Sequence, residues 1–153
     1  MTWEDDELAG YEERRITAKQ RDMLSVQRNS LLEGRHNQEW LALRTGVQTR
    51  LELLNQRAGR EITKSLTPRV PELRIRREDG VELKAEYIPA TRTVTFSCEA
   101  LPFGEKSYEL TVCMIEGNDT VAWRAIQKNP EIVSRENIVK EVVTSFLHAG
   151  TLL

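Results

Sequence analysis

A chain of 153 residues fits one domain of ordinary size and buries enough surface to hold a core without a metal or a disulfide. With 39% hydrophobic and 30% charged residues it reads as a globular protein with a well-solvated surface, and no apolar run reaches the ~18 residues of a spanning helix. A net charge of −2 predicts no whole-molecule attraction to nucleic acid or to a membrane.

The charge is unevenly spread. Residues 1–13 carry six acids and no base, residues 14–64 carry eleven bases against five acids, and residues 65–153 carry eleven bases against thirteen acids. The chain begins Met-Thr-Trp-Glu-Asp-Asp-Glu, acidic where a signal peptide is basic and then apolar, so a cytoplasmic protein is expected.

From Glu12 to Ala58 there is no proline, and most residues are good helix formers. Trp40, Leu43, Val47, Leu51 and Leu54 step by 3, 4, 4 and 3, which is one face of an amphipathic helix. Gly59 reads as its C-cap, with Arg57 in the last turn suiting the helix dipole. Upstream, Ile16, Met23, Leu24, Leu31 and Leu32 are too sparse for a broad core face. Arg14, Arg21, Arg28 and Arg35 recur there every seven residues as a cationic ridge. Gly34-Arg35-His36-Asn37 is read as a break, with Asn37 capping a second helix. A single helix through Gly34 is the close alternative, since one glycine costs only ~1 kcal/mol.

Residues 73–126 alternate. A three-residue Glu78-Asp79-Gly80 loop sets Ile75 opposite Leu83 and Leu73 opposite Ala85, with Arg77 opposite Val81. A loop from Pro89 to Arg92 sets Tyr87 opposite Val94, Ala85 opposite Phe96 and Leu83 opposite Cys98. A Gly117-Asn118 turn sets Met114 opposite Val121, Val112 opposite Trp123 and Leu110 opposite Ala125. Each register keeps one face apolar, and a slip of one residue would not. The same registers point Cys98 inward and Cys113 outward, so a disulfide between them is not expected. Leu101-Pro102-Phe103-Gly104 reads as an apolar loop folded back over the core edge.

The closing helix has Ser134 as N-cap, a stripe of Ile138, Val139, Val142, Val143, Phe146 and Leu147, His148 in the last turn and Gly150 as C-cap. The expected fold is α+β: N-terminal helices, a five-stranded antiparallel meander with one apolar face covered by helices, and a C-terminal helix. Residues 1–58 form an acidic N-terminus and helical arm, 59–72 a linker, and 73–150 the sheet with its closing helix. Five strands at ~4.8 Å are ~24 Å wide and a helix covers ~10 Å, so two helices are needed, the closing one and the 38–58 segment. The Arg-rich helix is left over.

Chemistry finds no purchase in the motifs. His36 reads as a loop residue and His148 as a cation at a helix end, neither in a zinc-spaced cluster. Asp79 and Asp119 sit at hairpin turns, and there is no glycine-rich phosphate loop. No catalytic residue, cofactor or metal is assigned, and an enzyme without a recognisable motif is the third reading. The first is a non-enzymatic interaction domain, a homo-oligomer or a binder of a protein partner, using Tyr11, Arg14, Ile16, Arg21, Met23, Arg28 and Arg35 of the first helix. Antiparallel pairing of two arms would bring the acidic end, otherwise a frayed tail, onto the basic ridge of a second copy. The second reading is binding of nucleic acid or another polyanion along that ridge.

Overall fold

The computed structural model describes residues 2–66, 69, 71–126 and 131–150. A single long helix, α1 (Trp3–Ala58), is followed by seven strands and a closing helix. The strands are β1 (Thr63–Ser65), β2 (Glu72–Arg77), β3 (Glu82–Ile88), β4 (Thr93–Cys98), β5 (Lys106–Ile115), β6 (Asn118–Ala125) and β7 (Ile132–Val133), and the closing helix is α2 (Arg135–His148). They form one antiparallel sheet in sequence order.

The sheet is thus an α+β meander of seven strands, not five. The two additions, β1 and β7, are three and two residues long, too short for alternation to show in a sequence. β1 lies inside the stretch read as a linker, of which residues 67, 68 and 70 are outside the described residues. Both are edge strands, and short edges resist pairing with other chains.

The first two hairpins keep the expected registers: Ile75 faces Leu83, Ala85 faces Phe96, and Tyr87 faces Val94. The third differs. Glu116 and Gly117 both have positive φ, 52° and 81°, as a type I′ turn demands, so Ile115 pairs with Asn118. Leu110 therefore faces Trp123 and Val112 faces Val121, two residues from the expected register. A shift of two leaves every side chain on the same face, and Leu110 and Trp123 are both buried.

No break interrupts α1. Leu32, His36, Trp40, Leu43, Val47 and Leu51 step by 4, 4, 3, 4 and 4, so the buried stripe continues upstream through the expected break. His36 is a core position, not a loop residue. The acidic end is no frayed tail either. Thr2 caps the helix in a capping box with Asp5, and Glu4, Asp5 and Asp6 lie in the first turn, where the dipole favours them. Gly59, with φ 69°, closes the helix as expected.

The stripe of α1 and the Ile138–Phe146 face of α2 together cover the apolar side of the meander. The two helices come close at Gly46, where an added Cβ would stand 3.0 Å from Val139 Cγ2. At Gly34 an added Cβ would meet nothing within 4 Å.

Arg77 joins sheet to helix. It sits on the apolar face, and its buried guanidinium donates to the carbonyls of Phe146 (2.7 Å) and Leu147 (3.4 Å) at the end of α2, where the Phe146 carbonyl also accepts from the Ala149 N–H at 3.3 Å. Nε donates to Asp79 Oδ1 at 2.8 Å. That bond from Arg77 holds the Asp79 carboxyl at about 2, below its ordinary 3.8. Ala149, not Gly150, is the C-cap of α2. Gly150 follows with φ 79° and donates to the Leu101 carbonyl at 2.7 Å. Phe103 folds back into the core as expected, while Leu101 stays exposed.

Replacing Arg77 with Met removes both of its bonds to the end of α2 and should lower unfolding free energy by about 2 kcal/mol in urea titrations. Because the Asp79 pKa is depressed by folding, its contribution is present above about pH 4 and is lost as pH falls through about 2. Asp79→Asn should flatten the acid limb of the stability curve in that window. Gly34→Ala should raise stability by up to ~1 kcal/mol, and Gly46→Ala should lower it, both read by thermal unfolding.

Candidate interaction surface

The buried stripe of α1 stops at Leu32. Upstream, the described residues are exposed save for half-buried Gly10, Glu12 and Leu31. At 1.5 Å per residue, positions 3–31 make a rod ~43 Å long. Trp3 is 72% exposed and Tyr11 60%, and Leu8, Ile16, Met23, Leu24 and Val26 are exposed with them.

A second feature meets this arm part-way. β4 pairs with β5 as far as Glu109, and β7 pairs with β6 at Trp123 and Arg124. Residues 111–122 therefore continue as a two-stranded ribbon that leaves the body of the sheet. The ribbon runs beside the arm. Arg21, Leu24, Ser25, Arg28, Thr111 and Val112 line a shallow hollow between them, and Arg28 Nη2 lies 3.5 Å from Asp119 Oδ1. Met114, at the ribbon tip, is 66% exposed.

The seven residues singled out in the sequence are thus divided. Arg21 and Arg28 stand against the ribbon. Tyr11, Arg14, Ile16 and Met23 are exposed on the arm, where the Arg14 guanidinium folds back to the Gly10 carbonyl at 3.3 Å. Arg35 is exposed near the root, beside the docked turn that holds His36. Reasoning from the sequence missed Trp3, Leu8, Val26 and Met114. The first three are isolated apolar residues without period, and Met114 alternates like any inward strand residue.

The root of the arm is pinned by polar contacts. His36 Nδ1 lies 2.8 Å from the buried Tyr87 hydroxyl, Trp40 stacks on Tyr87 with centroids 5.4 Å apart, and Arg92 Nη1 reaches Glu33 Oε1 at 3.0 Å. Burial pushes the Tyr87 phenol up to about 12.

Elsewhere the surface offers little that converges. One hollow of about 610 Å³ lies on the outer sheet face between Asp79 and Ala100, where Glu82, Lys84 and Glu99 are among the lining groups. A groove of about 920 Å³ runs between α1 and α2, lined by Leu41, Gly46, Leu53, Arg135, Val139 and Lys140 among others. Cys98 and Cys113 are free and half-buried. Among the described residues no group of three His, Cys, Asp or Glu side chains could hold a metal ion, and no helix is long and apolar enough to cross a membrane.

No family model, curated protein or solved structure matches this chain.

Tyr87→Phe removes the hydroxyl that His36 meets and should cost about 1 kcal/mol of stability in urea. The raised Tyr87 pKa makes its contribution complete below pH 10 and lost as pH climbs through about 12. Alkaline unfolding followed by tyrosinate absorbance should accordingly begin earlier in the wild type than in Tyr87→Phe once the difference in neutral stability is subtracted.

Proposed function

We propose that this chain is a non-enzymatic interaction domain that self-associates through the arm of α1. The observation that carries the reading is a helix continuous with the core whose first ~28 residues bury almost nothing while exposing Trp3, Leu8, Tyr11, Ile16, Met23 and Val26. A bare helix gains little from propensity alone, and helices in proteins are stabilised chiefly by packing one face. An exposed series of large apolar residues on one element is the kind of surface that marks a protein contact. The docked half of α1 supplies the rigidity that such a contact needs, because it sets the direction of the arm before any partner arrives.

Light scattering of the full chain should give a dimer or larger species, and a chain lacking residues 1–20 should be a folded monomer. That truncation spares Leu32, His36 and the Arg28–Asp119 contact. A full chain that stays monomeric at high concentration, with the truncation changing nothing, overturns the proposal.

A second reading, polyanion binding, draws on Arg14, Arg21, Arg28 and Arg35 lying at seven-residue steps on one unbroken helix. Against it, Arg28 already faces Asp119, and seven acids share the rod. Duplex binding at low salt that falls steeply with added salt, and with Arg21→Glu plus Arg28→Glu, is its signature.

A further inference from the structure

Resting on the self-association reading, we infer that the arm's partner is a second copy of the same arm, laid antiparallel about a two-fold axis between Glu13 and Arg14. One observation bounds that axis and a second places it.

The first is the free length of the rod. The arm is unaccompanied from Trp3 to the point where Arg21 and Leu24 reach the β5–β6 ribbon. Two antiparallel rods slide past each other until the tip of each meets the ribbon of the other. Trp3 then lies abreast of the second copy's 21–28 stretch, which lines the hollow beside the ribbon. The axis therefore falls within about two residues of position 14. The exposed Trp3 indole arrives at the hollow between arm and ribbon, next to Val112 and the exposed Met114.

The second is the charge. In the free stretch, Glu4, Asp5, Asp6, Glu7, Glu12 and Glu13 lie before the axis, and Arg14, Arg15, Lys19 and Arg21 lie after it, with Asp22 the one acid among them. The sign changes between residues 13 and 14, inside that range, and sets the axis there, so opposed residue numbers add to 27. On a single helix face the register sets Trp3 abreast of Leu24, Asp6 of Arg21 and Glu13 of Arg14. Gly10 falls beside Thr17 at the middle of that face, where small side chains let two helices approach. Asp5 and Asp22, the one like-charge match by height, lie off that face, and Asp5 is held in the capping box by Thr2. Glu12 and Arg15 lie on the opposite face and pair with each other at 3.0 Å within the single helix. Parallel arms would set acid on acid and base on base. A two-fold axis makes the contact close on itself, giving a dimer and not a filament.

Because exposed ion pairs are screened, raising salt from 50 to 500 mM should weaken the dimer at least tenfold in sedimentation or light scattering. Glu12→Arg with Glu13→Arg should be monomeric, as should Arg14→Glu with Arg15→Glu, and an equimolar mixture of the two should recover a heterodimer. In a Cys98→Ala, Cys113→Ser background, chains carrying Gly10→Cys should form a disulfide with chains carrying Thr17→Cys on mild oxidation, and should not do so with one another. Gly10→Cys chains that link to themselves would establish parallel arms and overturn the antiparallel pairing while leaving self-association standing. A dimer indifferent to salt and to both charge reversals would overturn the pairing in the same way. A full chain that is monomeric at every salt concentration would overturn both. The charge-reversal arm keeps the native cysteines, so it decides the matter even where the cysteine-free background fails to fold.

Discussion

Burial of the Leu32–Leu51 stripe of α1 against the meander is the interaction on which the rest of the molecule depends. It supplies one of the two layers that cover the apolar side of the sheet. It also fixes everything upstream. Backbone bonds in a helix run without interruption from one turn to the next, so docking the last half orients the first. Nucleating a free helix is costly, whereas extending one that is already held adds a hydrogen bond for each residue ordered. The arm is helical because its root is packed, and its tip is secured separately by the Thr2–Asp5 capping box.

Apolar burial is non-directional, so it does not by itself set how far each helix slides along the sheet. Polar bonds at the margins do. Arg77 holds the end of α2 through the Phe146 and Leu147 carbonyls, and Tyr108 and Lys106 hold its middle through Glu141 at 3.2 and 3.4 Å. Burial, with Glu141 beside it, raises the Tyr108 pKa, which keeps the phenol a donor. His36 against Tyr87 and Glu33 against Arg92 do the same for α1. Each of these bonds joins a helix to the sheet, and each lies at the edge of the core where a misplaced helix would break it.

The parts of this architecture that could be read from the sequence are those governed by alternation and turn chemistry. Residues 73–98 show both, and their two registers follow from the requirement that one face stay apolar. The third hairpin shows why that criterion has a limit. Turns at Glu116-Gly117 and at Gly117-Asn118 leave the same residues inward, so patterning cannot separate them, and the positive φ of Glu116 is not a preference its side chain announces. The strands β1 and β7 are shorter than one period of evidence. The uninterrupted helix hinged on His36, a residue that reads as polar until a tyrosine hydroxyl from a distant strand is found beside it. That bond, with Leu32 joining the stripe, outweighs the ~1 kcal/mol that Gly34 costs. The arm's exposure was legible from its sparse apolar residues. Its meeting with the ribbon was not, because Arg28 and Asp119 are ninety-one positions apart and each looks like an ordinary surface charge.

The arm's charges divide by what the fold of a single chain can explain. Acids at residues 4–6 stabilise the helix they begin, through the capping box and the dipole, an effect that fades within the first turn. Glu12 and Glu13 are three turns in and beyond its reach. Bases so near a helix N-terminus gain nothing from the dipole, yet Arg14, Arg15, Lys19 and Arg21 crowd the next two turns. One local bond, Glu12 with Arg15, accounts for a single pair at the surface, where such pairs are worth ~0.3–0.5 kcal/mol. An abrupt reversal of sign at residues 13 and 14, on a stretch of helix exposed along its length, is left over from these local effects, and the proposed pairing would use it. A surface complementary to itself about that point requires such a reversal.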